Sequence, residues 1–65
     1  MSAKLAQKIK RLRKEQNLTQ IKLAKKAGIA QSFLSNIEND LQSPSLKNLE
    51  KISKALDISL PDLLK

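Results

Sequence analysis

Residues 19–39, TQIKLAKKAGIAQSFLSNIEN, read as a helix, a tight turn and a second helix, with small residues where the two must touch. Thr19 is placed to cap the first helix, and Leu18 to staple onto Leu23, four positions inside it. Ala24 and Ala27 fall on the inner face, where a methyl group lets another helix pack closely. Gly28 follows the last turn, a position that usually needs φ > 0 and that glycine reaches at little steric cost. Ile29 restarts the apolar pattern, and Leu34 and Ile37 continue it at helical spacing. A short glycine-containing turn between two such helices is the helix-turn-helix layout. Each feature alone is commonplace; their joint spacing is what decides the fold.

Around this stretch the chain is short, with 65 residues and neither cysteine nor histidine. A domain of this size buries only about 60% of its unfolded surface, so the core is small. No disulfide framework and no thiolate or imidazole metal site can staple it, so stability must come from helix packing or self-association. No apolar run approaches the roughly 18 residues of a membrane span, and the N-terminus lacks a signal-peptide core. The soluble cytoplasm is therefore the expected location, and no cofactor is implied.

The formal charge is +7, which favours an anionic partner. Residues 1–28 hold nine of the thirteen Lys and Arg and a single acid, Glu15, whereas residues 29–65 hold four basic residues and five acids. A run such as Lys8-Ile9-Lys10-Arg11-Leu12-Arg13-Lys14 is in part an ordinary solvated helix face. The lopsided balance nonetheless points to nucleic acid before an acidic protein or a membrane. An amphipathic membrane helix is disfavoured by the absence of Trp, the single Phe, and apolar positions that the fold needs internally.

The flanks complete an all-α domain spanning residues 1–65, with five helical segments and the central motif at about 19–39. The first segment runs from about Ala3 to Gln16, with Ser2 as a candidate cap and Leu5, Ile9 and Leu12 as its apolar stripe. Asn17 and Leu18 break it. The second covers about 20–27 and the third about 31–39. Asp40 to Pro44 forms a loop. Ser45 caps a fourth helix, about 46–56, with Leu46, Leu49, Ile52 and Leu56 expected inside. Asp57 and Ile58 turn the chain, and Ser59-Leu60-Pro61-Asp62 opens a last short helix with a serine cap and an early proline. Sustained period-2 alternation is missing, so strands are not expected.

These residues resemble the Cro/repressor-type helix-turn-helix domain, the xenobiotic-response-element family. The resemblance extends over residues 3–64: Ile9-Lys10-Arg11-Leu12-Arg13, Leu18-Thr19-Gln20, Leu23-Ala24-Lys25-Lys26-Ala27-Gly28, Leu34-Ser35-Asn36-Ile37-Glu38-Asn39, Pro44-Ser45-Leu46, Leu49 to Leu56 and Ile58 to Leu64. Within the family, Ala27-Gly28-Ile29-Ala30 and the loop Gln42 to Leu46 are most similar to the DNA-binding half of a biofilm-type repressor. The resemblance implies a five-helix, lambda-repressor-like fold and a sequence-specific regulator of transcription, a repressor by preference, reading the major groove of double-stranded DNA. Two residues depart from the pattern. Asp40 stands where a glycine is usual, which moves the left-handed conformation to Asn39 or Asp40. Ala30 stands where a capping Ser or Thr is common, at a cost of about 1 kcal/mol.

Spacing assigns the faces of the third helix. At about 100° per residue, Ala30, Leu34 and Ile37 fall on one side and Ser32, Ser35, Asn36 and Asn39 on the other, with Gln31 at the first turn. No Lys or Arg occurs between Lys26 and Lys47. A face of amides and hydroxyls suits base edges: Asn and Gln make bidentate contacts to adenine, and Ser donates or accepts. Gln31 and Asn36 are the expected main readers, Ser32 and Ser35 secondary ones; an ordinary solvated polar face is the competing explanation. Phosphate contacts are expected elsewhere. The resemblance places the start of the second helix, Thr19 and Gln20, against the DNA backbone, where free helix N–H groups favour an anion. Asn39, Gln42 and Ser43 can touch the opposite flank of the groove, and Lys47 adds charge. Phe33 falls at the edge of the groove face, where half-buried packing outweighs stacking on a base. The resemblance also places an ion pair between Arg13 and Glu38.

An enzyme is not expected: without His or Cys, the scattered acids offer no convergent catalytic group. The competing class is a protein-interaction module such as an antitoxin, with DNA binding secondary, and a protein partner such as a toxin or antirepressor fits either class. On DNA the expected unit is a homodimer on a near-palindromic operator. Leu60, Leu63 and Leu64 crowd one short segment with nearly balanced local charge, and related domains often pair through this helix. Closing the small core is the alternative role for these leucines.

Overall fold

The computed structural model describes residues 3–65, and among these only helices occur: α1 (Ala3–Glu15), α2 (Gln20–Ala27), α3 (Gln31–Glu38), α4 (Leu46–Ala55) and α5 (Leu60–Leu64). The candidate cap Ser2 lies outside the described residues. The first four helices end in one backbone pattern. Asn17, Gly28, Asp40 and Asp57 take the left-handed conformation, with φ of 58°, 71°, 58° and 58°. In each case the next residue donates its N–H back over the turn: Leu18 to the Arg13 carbonyl at 3.1 Å, Ile29 to Ala24 at 3.0 Å, Leu41 to Asn36 at 2.8 Å and Ile58 to Ser53 at 3.0 Å. This is the Schellman closure, which satisfies carbonyls that the helix end would otherwise leave open. At position 28 the left-handed φ alone calls for glycine, because no atom stands within 4 Å of where a Cβ would sit. After α3 the left-handed residue is Asp40, whereas Asn39 keeps a negative φ of −94°. The same geometry shortens α1, α3 and α4 by one residue each against the spacing-based boundaries.

Helix starts are equally specified. Thr19, Ser45 and Ser59 hold extended backbone, and their hydroxyl oxygens accept from the N–H three residues on, at 3.1, 3.2 and 3.2 Å. Ala30 occupies the same position for α3 and supplies no side-chain cap.

Ile9, Leu23, Leu34, Ile37, Ile52, Leu56 and Leu63 form the centre of the core, with Leu5, Leu12, Leu18, Ile29, Phe33, Ile58 and Leu60 packed around them. Helix α2 packs on α3 and α4, α1 on α3 and α5, and α4 on α5. Three residues depart from their expected places. Leu46 is 60% exposed: the helical step puts it roughly 100° from the middle of the arc that buries Leu49, Ile52 and Leu56. Ala30 is exposed, because its extended backbone (φ −71°, ψ 144°) takes it out of the helical step. Leu63 is only 1% exposed, so it closes the core of its own chain rather than facing a second copy.

Candidate nucleic-acid interface

The sequence of α3 divides the helix into two faces of different chemistry. Leu34 and Ile37 are buried against α1 and α2, Phe33 is half-buried at the edge, and Gln31 and Ser32 are exposed at the first turn. Ser35 and Asn36 are half-buried in the middle, and Asn39 is exposed at the end. Five polar, uncharged side chains thus share one outer surface. They are partly organised among themselves. Asn36 Nδ2 donates to Gln42 Oε1 at 3.3 Å, across the turn at Asp40, and Asn39 Nδ2 stands 3.5 Å from Ser35 Oγ. The Asn36–Gln42 pair is invisible to a periodicity argument, because it spans a loop and depends on the left-handed turn between the partners.

Behind this surface lies a buried ionic node. Arg13 of α1 donates from Nε to Glu38 Oε2 at 2.7 Å and from a terminal nitrogen to Glu38 Oε1 at 3.0 Å, while its other terminal nitrogen donates to the Leu18 carbonyl at 2.7 Å. Gln20 Nε2 adds a fourth bond, to Glu38 Oε1 at 3.2 Å. Arg13 and Glu38 are 8% and 6% exposed. Two fully bonded ions in a fork geometry are tolerated where one alone would be costly. Glu38 lies in the last turn of α3, where the helix dipole disfavours an acid, and the guanidinium offsets that too. The node ties the end of α1, the start of α2 and the end of α3 together, which fixes the angle at which α3 is presented.

The node also changes the part open to Gln20. Its side chain is turned to Glu38, so what it can offer an anion is its backbone N–H. The first-turn N–H groups of Gln20 and Ile21 have no partner within the helix, while the N–H of Lys22 is held by Thr19 Oγ1. The Thr19 hydroxyl is exposed beside them, and its proton remains to donate. Gln42, Ser43 and Lys47 are exposed beyond the other end of α3.

Among the described residues no helix is long and apolar enough to cross a membrane, and no group of three or more His, Cys, Asp or Glu is placed to hold a metal. A family model described as helix-turn-helix matches residues 9–63. The chain belongs to the helix-turn-helix family. Its type is the Cro/repressor, or xenobiotic-response-element, domain. Among similar helix-turn-helix proteins, the transcriptional regulator SinR of Bacillus subtilis (strain 168) is 49% identical over 61 residues, covering 92% of this chain and 55% of SinR. The immunity repressor protein of Bacillus phage phi105 is 46% identical over 86% of this chain and 39% of its own length. Antitoxin HipB of Escherichia coli (strain K12) is 39% identical over 86% of this chain and 64% of its own length. The chain thus spans about half the length of the curated relatives it matches. The crystal structure of SinR in complex with DNA matches with a TM-score of 0.88 at 48% identity, over 94% of this chain and 98% of that one.

The α5 end also departs from expectation. Leu64 is 49% exposed and Leu60 is half-buried on the core. Helix α1 brings Lys4 and Lys8 to the same groove as Leu64 and Lys65, and Lys8 Nζ donates to the Asp62 carbonyl at 2.6 Å. The local charge is therefore positive rather than balanced.

Proposed function

We propose that this chain is a sequence-specific, double-stranded-DNA-binding regulator of transcription, a repressor, that lays α3 in the major groove. The observation that carries the proposal is the uncharged amide and hydroxyl face of α3, set beside the free N–H groups at the start of α2. Gln31 and Asn36 read bases, with Ser32 and Ser35 adding contacts. The Thr19 hydroxyl and the Gln20 N–H hold a phosphate on one flank. Asn39, Gln42, Ser43 and Lys47 meet the backbone on the other, with Phe33 packed along the edge. The similarity to SinR, a protein solved on DNA, supports this reading, and nothing in the site calls for catalysis. Action in the cytoplasm follows from this role.

The working unit is a homodimer on a near-palindromic operator, its two α3 helices about 34 Å apart. Leu64 and the exposed edge of Leu60 supply the apolar contact. Lys4, Lys8 and Lys65 repel their counterparts in a second copy, so the dimer forms on DNA, where phosphates offset that charge. The antitoxin-like alternative has the similarity to HipB behind it and would add a toxin as protein partner.

Selection of bound sites from random duplex DNA tests the reading. A near-palindromic motif bound by two chains is the expected result, and Leu64→Glu should leave a folded protein that binds the motif far more weakly. Binding without sequence preference, or one chain per motif at saturation, would count against it.

A further inference from the structure

We propose that Gln42 makes Asn36 choose adenine over guanine; the inference rests on the reading of α3 as the base-contacting helix. An asparagine amide carries one acceptor and two N–H donors. In the major groove adenine presents an acceptor, N7, beside a donor, the N6 amino group, while guanine presents two acceptors, N7 and O6. An unrestrained Asn serves adenine with its oxygen and one N–H, or guanine with its two N–H groups. In this structure Asn36 Nδ2 already donates to Gln42 Oε1 at 3.3 Å. One N–H is committed to the loop. What remains is one acceptor and one donor, the complement of adenine and a mismatch for guanine.

The main chain keeps the two residues close to each other. The backbone ties the same two segments together, since the Leu41 N–H donates to the Asn36 carbonyl at 2.8 Å and Asp40 holds the left-handed turn at φ 58°. The Gln42 backbone is therefore fixed beside the end of α3, within reach of the Asn36 side chain. With its carbonyl oxygen occupied, Gln42 keeps its own amino group for a phosphate on the flank. A phosphate bound there polarises the Gln42 amide and strengthens its hold on Asn36. Backbone contact and base choice are thereby coupled through one side chain. Gln42 acts as a positioning residue, and its signature is a change in preference at a single base pair.

Competition binding with the selected operator and its single-base variants tests the proposal on the intact protein. Asn36→Ala first identifies the base pair at which preference is lost. At that pair Gln42→Ala should lower the adenine-over-guanine preference about tenfold, leaving preferences elsewhere and the melting temperature unchanged. Gln42→Glu keeps an acceptor for Asn36, so it should retain the preference while weakening all sequences alike through repulsion from phosphate. In the Asn36→Ala background, Gln42→Ala should change no base preference further. A uniform loss with Gln42→Ala and an unchanged adenine preference would overturn the proposal and leave Gln42 as a phosphate contact only. An Asn36→Ala protein with every preference intact would overturn it differently, by removing the base-reading role of α3 itself.

Discussion

Helices α1 and α3 lie against each other and carry opposite kinds of surface. Along α1 stand Lys4, Lys8, Lys10, Arg11, Arg13 and Lys14 against the single acid Glu15, whereas the outer face of α3 carries no charge at all. Ile9 of α1 is buried in the core and Arg13 is bonded to Glu38 of α3, so the exposed basic residues of α1 lie on the other faces of that helix. On the proposed DNA-binding reading, selectivity and attraction fall on different elements. Neutral amides discriminate base edges through short, directional bonds. Lysines on the other faces of α1 act through space, and at physiological salt the Debye length is about 8 Å. The described chain measures 23 × 23 × 21 Å, so charge on its far side is largely screened. On that reading the basic helix governs how fast the protein meets DNA more than which sequence it keeps.

The largest effect should come from breaking the node that joins the two regions. Glu38→Ala leaves the Arg13 guanidinium buried without its carboxylate and should cost about 3–5 kcal/mol, read as a fall in thermal or urea stability. Replacing both ions by apolar residues should recover much of that loss. A melting temperature within a degree or two of the wild type would mean that the pair does not hold α1 behind α3. Next comes the division of labour itself. Gln31→Ala and Asn36→Ala should each lose about 1–3 kcal/mol on the selected operator and almost nothing on random duplex. Equal losses on both DNAs would erase the distinction between the faces. A gain of about 1 kcal/mol is expected from Ala30→Ser, which supplies the cap that α3 lacks while α2, α4 and α5 have theirs; chemical denaturation measures it. The smallest effect belongs to α1. Lys10→Gln with Lys14→Gln should slow association at 10 mM salt, where the Debye length of about 30 Å exceeds the molecule, and change little at 150 mM. A loss at 150 mM matching that of Asn36→Ala would place α1 in direct contact with DNA.

Much of this architecture was legible in the residues because local signals and the tertiary fold agree. Thr19, Ser45 and Ser59 are caps in sequence and caps in space, and Gly28 marks its turn in both. Spacing failed where a residue stands at the very edge of an element. Leu46 opens its helix at the margin of the arc that the core covers, and Ala30 stands before α3, outside the helical step altogether. Leu63 differs for another reason: three leucines in so short a helix do not reveal how many the core accepts, which is settled by how α5 packs on α1 and α4. In the candidate site, spacing separated the polar face of α3 from its core face. It could not reveal that Gln20 turns to Glu38 or that Gln42 reaches Asn36, because both bonds cross between segments whose relative placement only the folded chain defines.

The repeated helix ending also shows that this domain does not sit at its stability optimum. Four turns use one left-handed geometry, yet only one is filled by glycine; Asn17, Asp40 and Asp57 accept a strained backbone, and the two acids also face the negative end of a helix dipole. Glycine at these three places would each add about 0.5–1 kcal/mol, as cap optimisation commonly does. The fold therefore holds a reserve of tolerance: destabilising changes on the outer face of α3 can be compensated at distant turns, which leaves that face free to change without loss of the scaffold.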